Sequence, residues 1–279
     1  MRGRRLANAS IADVRSARWA RQDPPQSAII GGVRVAVDLH CHLLPGLDDG
    51  ARDLDDAVAM AQQAQADGIA AICATPHIRH DHDVQIPELR SRMSELAAAV
   101  RAAGCRTRIL PGGEVAVTEL DALDDPELAA LSLGGTGRWI LLEPAPGPID
   151  QRFERAVGVL RSRGFRALVA HPERHIGPDL IQRLGRLIDQ GSLMQATAAF
   201  FIDQHSREGM LALARAGVIH VLGSDSHSSR AGRPVALAAA LQVLGTAEPT
   251  AANLGWIART APRAIVGGRD LTAPFPAPL

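Results

Sequence analysis

Two histidines one residue apart, His40 and His42, lie in the segment VDLHCHLLPGLDDG, and Asp48 and Asp49 follow shortly after. Alternate residues of an extended chain point the same way, so both imidazoles face a common space. Imidazole and carboxylate gathered without thiolate suit zinc, manganese or iron. The same residue types recur as His77 in ATPHIRH, Glu114 in PGGEV, Glu143 in WILLE, His171 in AHPERH, and Asp225 and His227 in GSDSH. The candidate ligands are therefore His40, His42, Asp49, His77, Glu114, Glu143, His171, Asp225 and His227, too many for one ion. Two or three divalent metals are expected, with shared carboxylates holding the ions about 3.5–4 Å apart.

Each candidate falls at the end of an apolar run. Such runs occupy residues 33–39, 69–75, 107–115, 139–143, 166–171, 193–197 and 218–224, and each precedes a segment with helical spacing. Residues 54–67 follow Asp53 as an N-cap and stop at Gly68; residues 87–103 carry Pro87 in the first turn and stop at Gly104. Helices near 150–163, 178–190 and 203–216 each end at a glycine, and a pair is expected near 234–244 and 250–259. Repeated β-then-α units with fully apolar strands imply α/β architecture, either a barrel or an open doubly wound sheet. The barrel is favoured, because a parallel barrel gathers the C-terminal ends of its strands at one mouth, where catalytic residues sit.

Thirty basic and thirty acidic residues cancel, so no overall field points to nucleic acid or a membrane surface. No apolar run is long enough for a membrane span, and the three cysteines form no CxxC pair, which suits a reducing compartment; cytoplasm is the expected location. Residues 1–32 are arginine-rich without the apolar stretch of a secretory signal and read as a flexible extension. Residues 269–279 read as a loose proline-rich tail.

Asp48, Asp53, Asp55 and Asp56 suit a helix start; His205, His220, His80, His82 and His175 suit surface or satisfied core positions. CATPHIR matches the bare C-x5-R spacing of a cysteine phosphatase. Cys73 nevertheless lies in an apolar strand, and its loop has Pro76 and no glycine, so it reads as buried structure. Cys41 reads as wall packing.

The ordered set DLHCHLLPGLDDG, ATPH, GGE, LLE, AHPER and SDSH followed by RP resembles the PHP (polymerase and histidinol phosphatase) superfamily. Within it, the set is most similar to the bacterial manganese-dependent protein-tyrosine phosphatases of capsular and exopolysaccharide regulation. The resemblance implies a distorted seven-stranded (βα)7 barrel of the PHP type over residues 33–268. It implies two or three divalent ions, most readily Mn2+, with Fe, Zn or Mg as substitutes. One ion would be held by His40, His42, Glu114 and Asp225, a second by Glu114, Glu143 and His171, and a third by Asp49, His77 and His227. The implied substrate is phosphotyrosine in the tail of a bacterial tyrosine autokinase.

Metal coordination brings the pKa of water toward neutrality, so the expected reaction is in-line attack of a metal-bound hydroxide on phosphorus. Arg174 in HPER and Arg233 in GRP are expected to grip phosphate oxygens, since guanidinium offers planar bidentate donors. Arg233 matches a family arginine near the leaving group. Phe200 and Phe201 in QATAAFF suit core packing more than an apolar rim for a substrate ring. A phosphatase of small esters such as histidinol phosphate or a sugar phosphate is the second reading; a non-catalytic module that binds the kinase tail is the third. Sequence leaves the oligomeric state open.

Overall fold

The computed structural model describes residues 37–275. The extension expected at 1–32 and the last four residues of the tail lie outside them. The fold is mixed α/β, built on curled parallel sheet. Its strands are β1 (Val37–Cys41), β2 (Ala71–Ala74), β3 (His77–Ile78), β4 (Arg108–Leu110), β5 (Glu114–Ala116), β6 (Trp139–Glu143), β7 (Arg166–Ala170), β8 (Leu193–Thr197) and β9 (Val221–Gly223). They form a three-stranded sheet in the order β1-β2-β4 and a six-stranded sheet in the order β3-β5-β6-β7-β8-β9.

The expected 107–115 strand is broken in two, and a short further strand, β3, follows the expected 69–75 strand. Pro76, which has no amide to donate, separates β2 from β3, and Pro111-Gly112-Gly113 separates β4 from β5. Each break lets the chain leave one sheet and join the other, with His77 then opposite Glu114 in the β3–β5 register. The far edge is bridged as well. His42 N donates to Ser226 O (2.9 Å) and Asp225 N donates to His40 O (2.8 Å), so the end of β1 meets the end of β9.

The helices are α1 (Leu54–Ala66), α2 (Leu89–Ala102), α3 (Asp125–Leu131), α4 (Gln151–Ser162), α5 (Leu180–Asp189), α6 (Ala199–Ile202), α7 (Arg207–Arg215), α8 (Ala238–Leu244) and α9 (Ala261–Val266). Asp53 caps α1 by accepting from Asp56 N, and Asp150 caps α4 by accepting from Arg152 N and Phe153 N. α3, with its Asp124–Glu127 capping box, was not among the expected helices. The expected 203–216 helix is displaced by a turn in which Asp203 accepts from Ser206 N, so α6 stands before it and α7 after it.

Both faces of the sheet are buried, as parallel strands require. Ile140, Leu142, Ala167 and Val169 pack into the larger, helix-covered core, whereas Trp139, Leu141, Leu168 and Ala170 pack into a smaller one with Ala261 and Ile265 of α9. Faces alternate along a strand, so the face of Trp139 and Leu141 continues to Glu143 and the face of Leu193 continues to Gln195. Polar side chains therefore cap an apolar stack at the carboxyl ends of the strands.

The tail is a correction to the sequence reading. Asp270 pairs with Arg138 (2.6 Å), and Phe275 is buried with its ring stacked on His220 at 5.4 Å. Among the described residues, no helix is long and apolar enough to cross a membrane.

Candidate metal centre

Glu114, at the start of β5, is the hub of the site and is fully buried. Its Oε1 lies 2.8 Å from His171 Nε2. Its Oε2 lies 3.2 Å from His40 Nε2, 3.3 Å from His42 Nε2 and 3.0 Å from His77 Nδ1. Despite this crowding, Glu114 Oε2 and His77 Nδ1 have no hydrogen bond of acceptable geometry. His40 Nε2 and His42 Nε2 also face each other at 3.2 Å. Lone pairs aimed at common points suit cations, and this donor set of imidazoles and carboxylates fits divalent metal.

All nine candidate ligands fall into groups whose ligating atoms lie within 4.8 Å of one another: His42, Asp49, His77 and His227; His40, His42 and Asp225; His40, Glu114 and His171; and His77, Glu114 and Glu143. His40, His42, His77 and Glu114 each belong to two groups, so neighbouring positions share donors.

Backbone geometry aims two of these side chains. His171 (φ 30°) and Asp225 (φ 51°) hold the left-handed conformation that residues other than glycine rarely adopt. Such strain costs of order 1–3 kcal/mol and persists where the surroundings impose it. Gly223 lets β9 close on the centre, since a Cβ there would sit 2.8 Å from His40 Cβ.

The charges are strongly coupled. Burial opposes the charged form of His40, but Glu114 and Asp225 outweigh it and raise its pKa. His42 is likewise raised well above its ordinary value, with burial overcome by Asp225, Asp48 and Glu114. Glu114 and Asp225 are held low because the histidines outweigh their burial. Burial and the proximity of Glu114 push Glu143 up. Burial and His42 push His227 down to about 4.

A cavity of about 440 Å³ opens onto Asp49, His77, Glu114, Glu143, His171, Asp225 and His227, with Arg79, Arg174 and Arg233 around them. His40 and His42 are fully buried behind it. Arg174 Nη2 donates to Asp225 Oδ2, which Arg233 Nη2 also approaches at 3.1 Å. Arg233 Nε donates to Asp225 O at 2.7 Å, fixing that guanidinium at the mouth.

Several supporting residues were missed from sequence. Asp48 is not a helix cap: its Oδ2 lies 2.8 Å from His42 Nδ1 and accepts from His77 N at 2.8 Å. Its pKa falls to about 2, burial being outweighed by His42. Gln195 Oε1 lies 2.9 Å from His40 Nδ1, and its signal was a polar residue inside the apolar run LMQAT. Asp56 accepts from Ser229 N and so ties α1 to the loop bearing His227. His82 stacks on His77 at 5.3 Å, whereas His205 is exposed and His220 is buried away from the centre. Phe201 is core; Phe200 is half-buried beneath the Arg174 guanidinium, 5.7 Å from its ring centroid. Cys73 is fully buried, and burial pushes its thiol pKa far up, which disfavours the thiolate.

A parallel α/β sheet with an imidazole–carboxylate centre at its carboxyl edge defines the class of protein. The family model for capsular polysaccharide synthesis, CpsB/CapC, matches residues 36–251, and the chain belongs to that family. It is 31% identical over 202 residues to the tyrosine-protein phosphatase YwqE of Bacillus subtilis (strain 168), covering 69% of this chain and 77% of that one. It is 23% identical over 219 residues to the tyrosine-protein phosphatase CpsB of Streptococcus agalactiae, covering 75% and 89%. Among solved structures of YwqE from Bacillus subtilis and CpsB from Streptococcus pneumoniae, described as unique metal-dependent tyrosine phosphatases, one chain superposes with a TM-score of 0.74. It is 26% identical, with 87% of this chain and 99% of that one covered. Dihydropyrimidinase from Brevibacillus agri shares the fold at a TM-score of 0.52 and 11% identity, covering 85% and 71%.

Proposed function

We propose that this protein is a metal-dependent protein-tyrosine phosphatase that uses manganese to hydrolyse phosphotyrosine, its substrate being the tail of a bacterial tyrosine kinase that governs capsule or exopolysaccharide synthesis. The observation that carries the reading is the convergence of eight imidazoles and carboxylates, all buried or half-buried except the exposed Asp49, on the buried Glu114 at a cavity rimmed by arginines. Membership of the CpsB/CapC family and the named activity of its relatives support it.

Four overlapping groupings of the nine ligands, joined through His40, His42, His77 and Glu114, provide for two or three ions. The chemistry that divalent ions bring to such donors is Lewis acidity toward phosphate oxygens and toward water. The protein's own residues do the rest. Gln195 and Asp48 fix the ring orientations of His40 and His42. Arg174 and Arg233, steadied by Asp225, present guanidinium donors to the phosphate and meet the charge that develops on phosphate and leaving oxygen. No thiol is needed, because Cys73 is sealed in the core.

The meeting of β1 and β9 supports reading the sheets as a distorted (βα)7 barrel in which β2–β3 and β4–β5 each form one broken wall. In that reading, residues 33–268 form one catalytic unit that works in the cytoplasm.

The test is phosphate release from a phosphotyrosine peptide by metal-stripped protein, with and without manganese, chelator or a thiol-alkylating reagent. Activity that requires manganese, disappears with chelator and ignores alkylation is expected. Activity that survives chelator but not alkylation would overturn the proposal.

A further inference from the structure

The cavity holds one more guanidinium than the phosphate reading uses. Arg174 and Arg233 approach from the Asp225 side and suffice for one phosphate, which carries a charge of about −1.5 to −2. Arg79 lies instead next to Glu143, with Nη1 3.7 Å from that carboxylate. Its Nε donates to Asp81 at 2.6 Å, and its Nη2 lies 3.4 Å from His82 Nε2. Three neighbours thus fix the plane of the guanidinium while engaging at most three of its five N–H groups. The side chain remains 30% exposed and lines the cavity.

Resting on the phosphotyrosine reading, we propose that Arg79 is a specificity-determining residue and that the natural substrate is an acidic phosphopeptide whose carboxylate, next to the phosphotyrosine, docks on this guanidinium. Asp81 marks the position. It is a half-exposed carboxylate that already occupies part of the guanidinium fork, so a peptide carboxylate can replace it at little cost. The remaining carboxylate at Arg79, Glu143, belongs to the candidate metal set and is not free to serve as its permanent partner.

The experiment compares kcat/KM of the manganese-loaded enzyme on phosphotyrosine peptides that carry Asp on both sides of the phosphotyrosine or Asn at both positions. Wild type is expected to prefer the Asp peptide about fivefold. R79Q is expected to bring that ratio close to one. An Asp/Asn ratio near one in wild type, or an undiminished ratio in R79Q, overturns the proposal. If R79Q does not fold, D81N carries the test: removing the internal competitor raises the ratio, and an unchanged or lower ratio overturns it. Absence of manganese-dependent phosphate release from either peptide by wild type would instead sink the phosphatase reading itself.

Discussion

Glu114 Oε1 and His171 Nε2 lie 2.8 Å apart although their strands, β5 and β7, are separated by β6. The contact reaches across the curled sheet and leaves Glu114 Oε2 facing His40, His42 and His77. A carboxylate shared in this way should govern the whole centre. Glu114→Gln keeps the shape and removes the charge, so bound manganese and phosphatase activity are expected to fall together by about 100-fold or more. Elemental analysis beside an activity assay checks this; full metal content in the variant would refute the shared role.

Asp48 supports the centre without belonging to the ligand groups. Asp48→Asn keeps one acceptor oxygen, enough for His77 N but not also for Gly50 N, and removes the negative charge beside His42 Nδ1. The manganese concentration giving half-maximal activity should rise about 10–100-fold, while activity at saturating metal largely recovers. A titration with unchanged midpoint would make Asp48 a purely structural residue.

Arg233 and Arg174 contact Asp225, so their effects on metal and on substrate must be separated. Arg233→Ala and Arg174→Ala are each expected to lower kcat/KM by about 100-fold with manganese content retained. Metal loss in proportion to activity would show that these arginines serve only to hold Asp225.

Cys73 tests the chemistry from the opposite side. The thiol is fully buried, and Cys73→Ala should lose about 1 kcal/mol of stability and keep its manganese-dependent turnover. Inactivation of this variant at full metal occupancy, with its fold intact by circular dichroism, would reopen thiol catalysis.

His220 provides a pH dependence remote from the centre. It is fully buried, accepts a hydrogen bond from Met194 N, and burial lowers its pKa from 6.5 to about 3. Between those values the unfolded chain binds a proton that the folded chain refuses. Stability from this group is therefore fully present above pH 6.5 and declines as pH falls toward 3, by up to about 1.4 kcal/mol per pH unit. In His220→Asn, which retains an acceptor, the acid-side decline in Tm should be shallower than in wild type. Parallel Tm curves would show that His220 does not contribute.

Much of this protein was legible in the order of its residues. Asp53 and Asp150 were readable as caps because capping is local chemistry, and the helix ends at Gly68, Gly104 and Gly164 were readable because each glycine takes a positive φ. Candidate ligands could be picked out because strand ends in parallel α/β folds converge, so residue type and position along each run sufficed. The breaks at Pro76 and at Pro111 to Gly113 were less legible, since an apolar run does not disclose where its hydrogen-bond partners change. The tail misled because proline content predicts poor local order but says nothing of the pocket that Phe275 finds beside His220 and Trp256.

The order of residues sets the donor chemistry: imidazoles and carboxylates placed one strand end after another, with Cys73 inside an apolar run. Which of them meet depends on how the chain packs. The closeness of Glu114 to His40, His42, His77 and His171, the pairing of Asp48 with His42 and of Gln195 with His40, and the place of Arg79 on one cavity with Arg174 and Arg233 all join residues far apart in sequence or hidden among local alternatives. Sheet curvature, the two proline-marked breaks and the left-handed backbones of His171 and Asp225 set those distances, and they are properties of the packed chain.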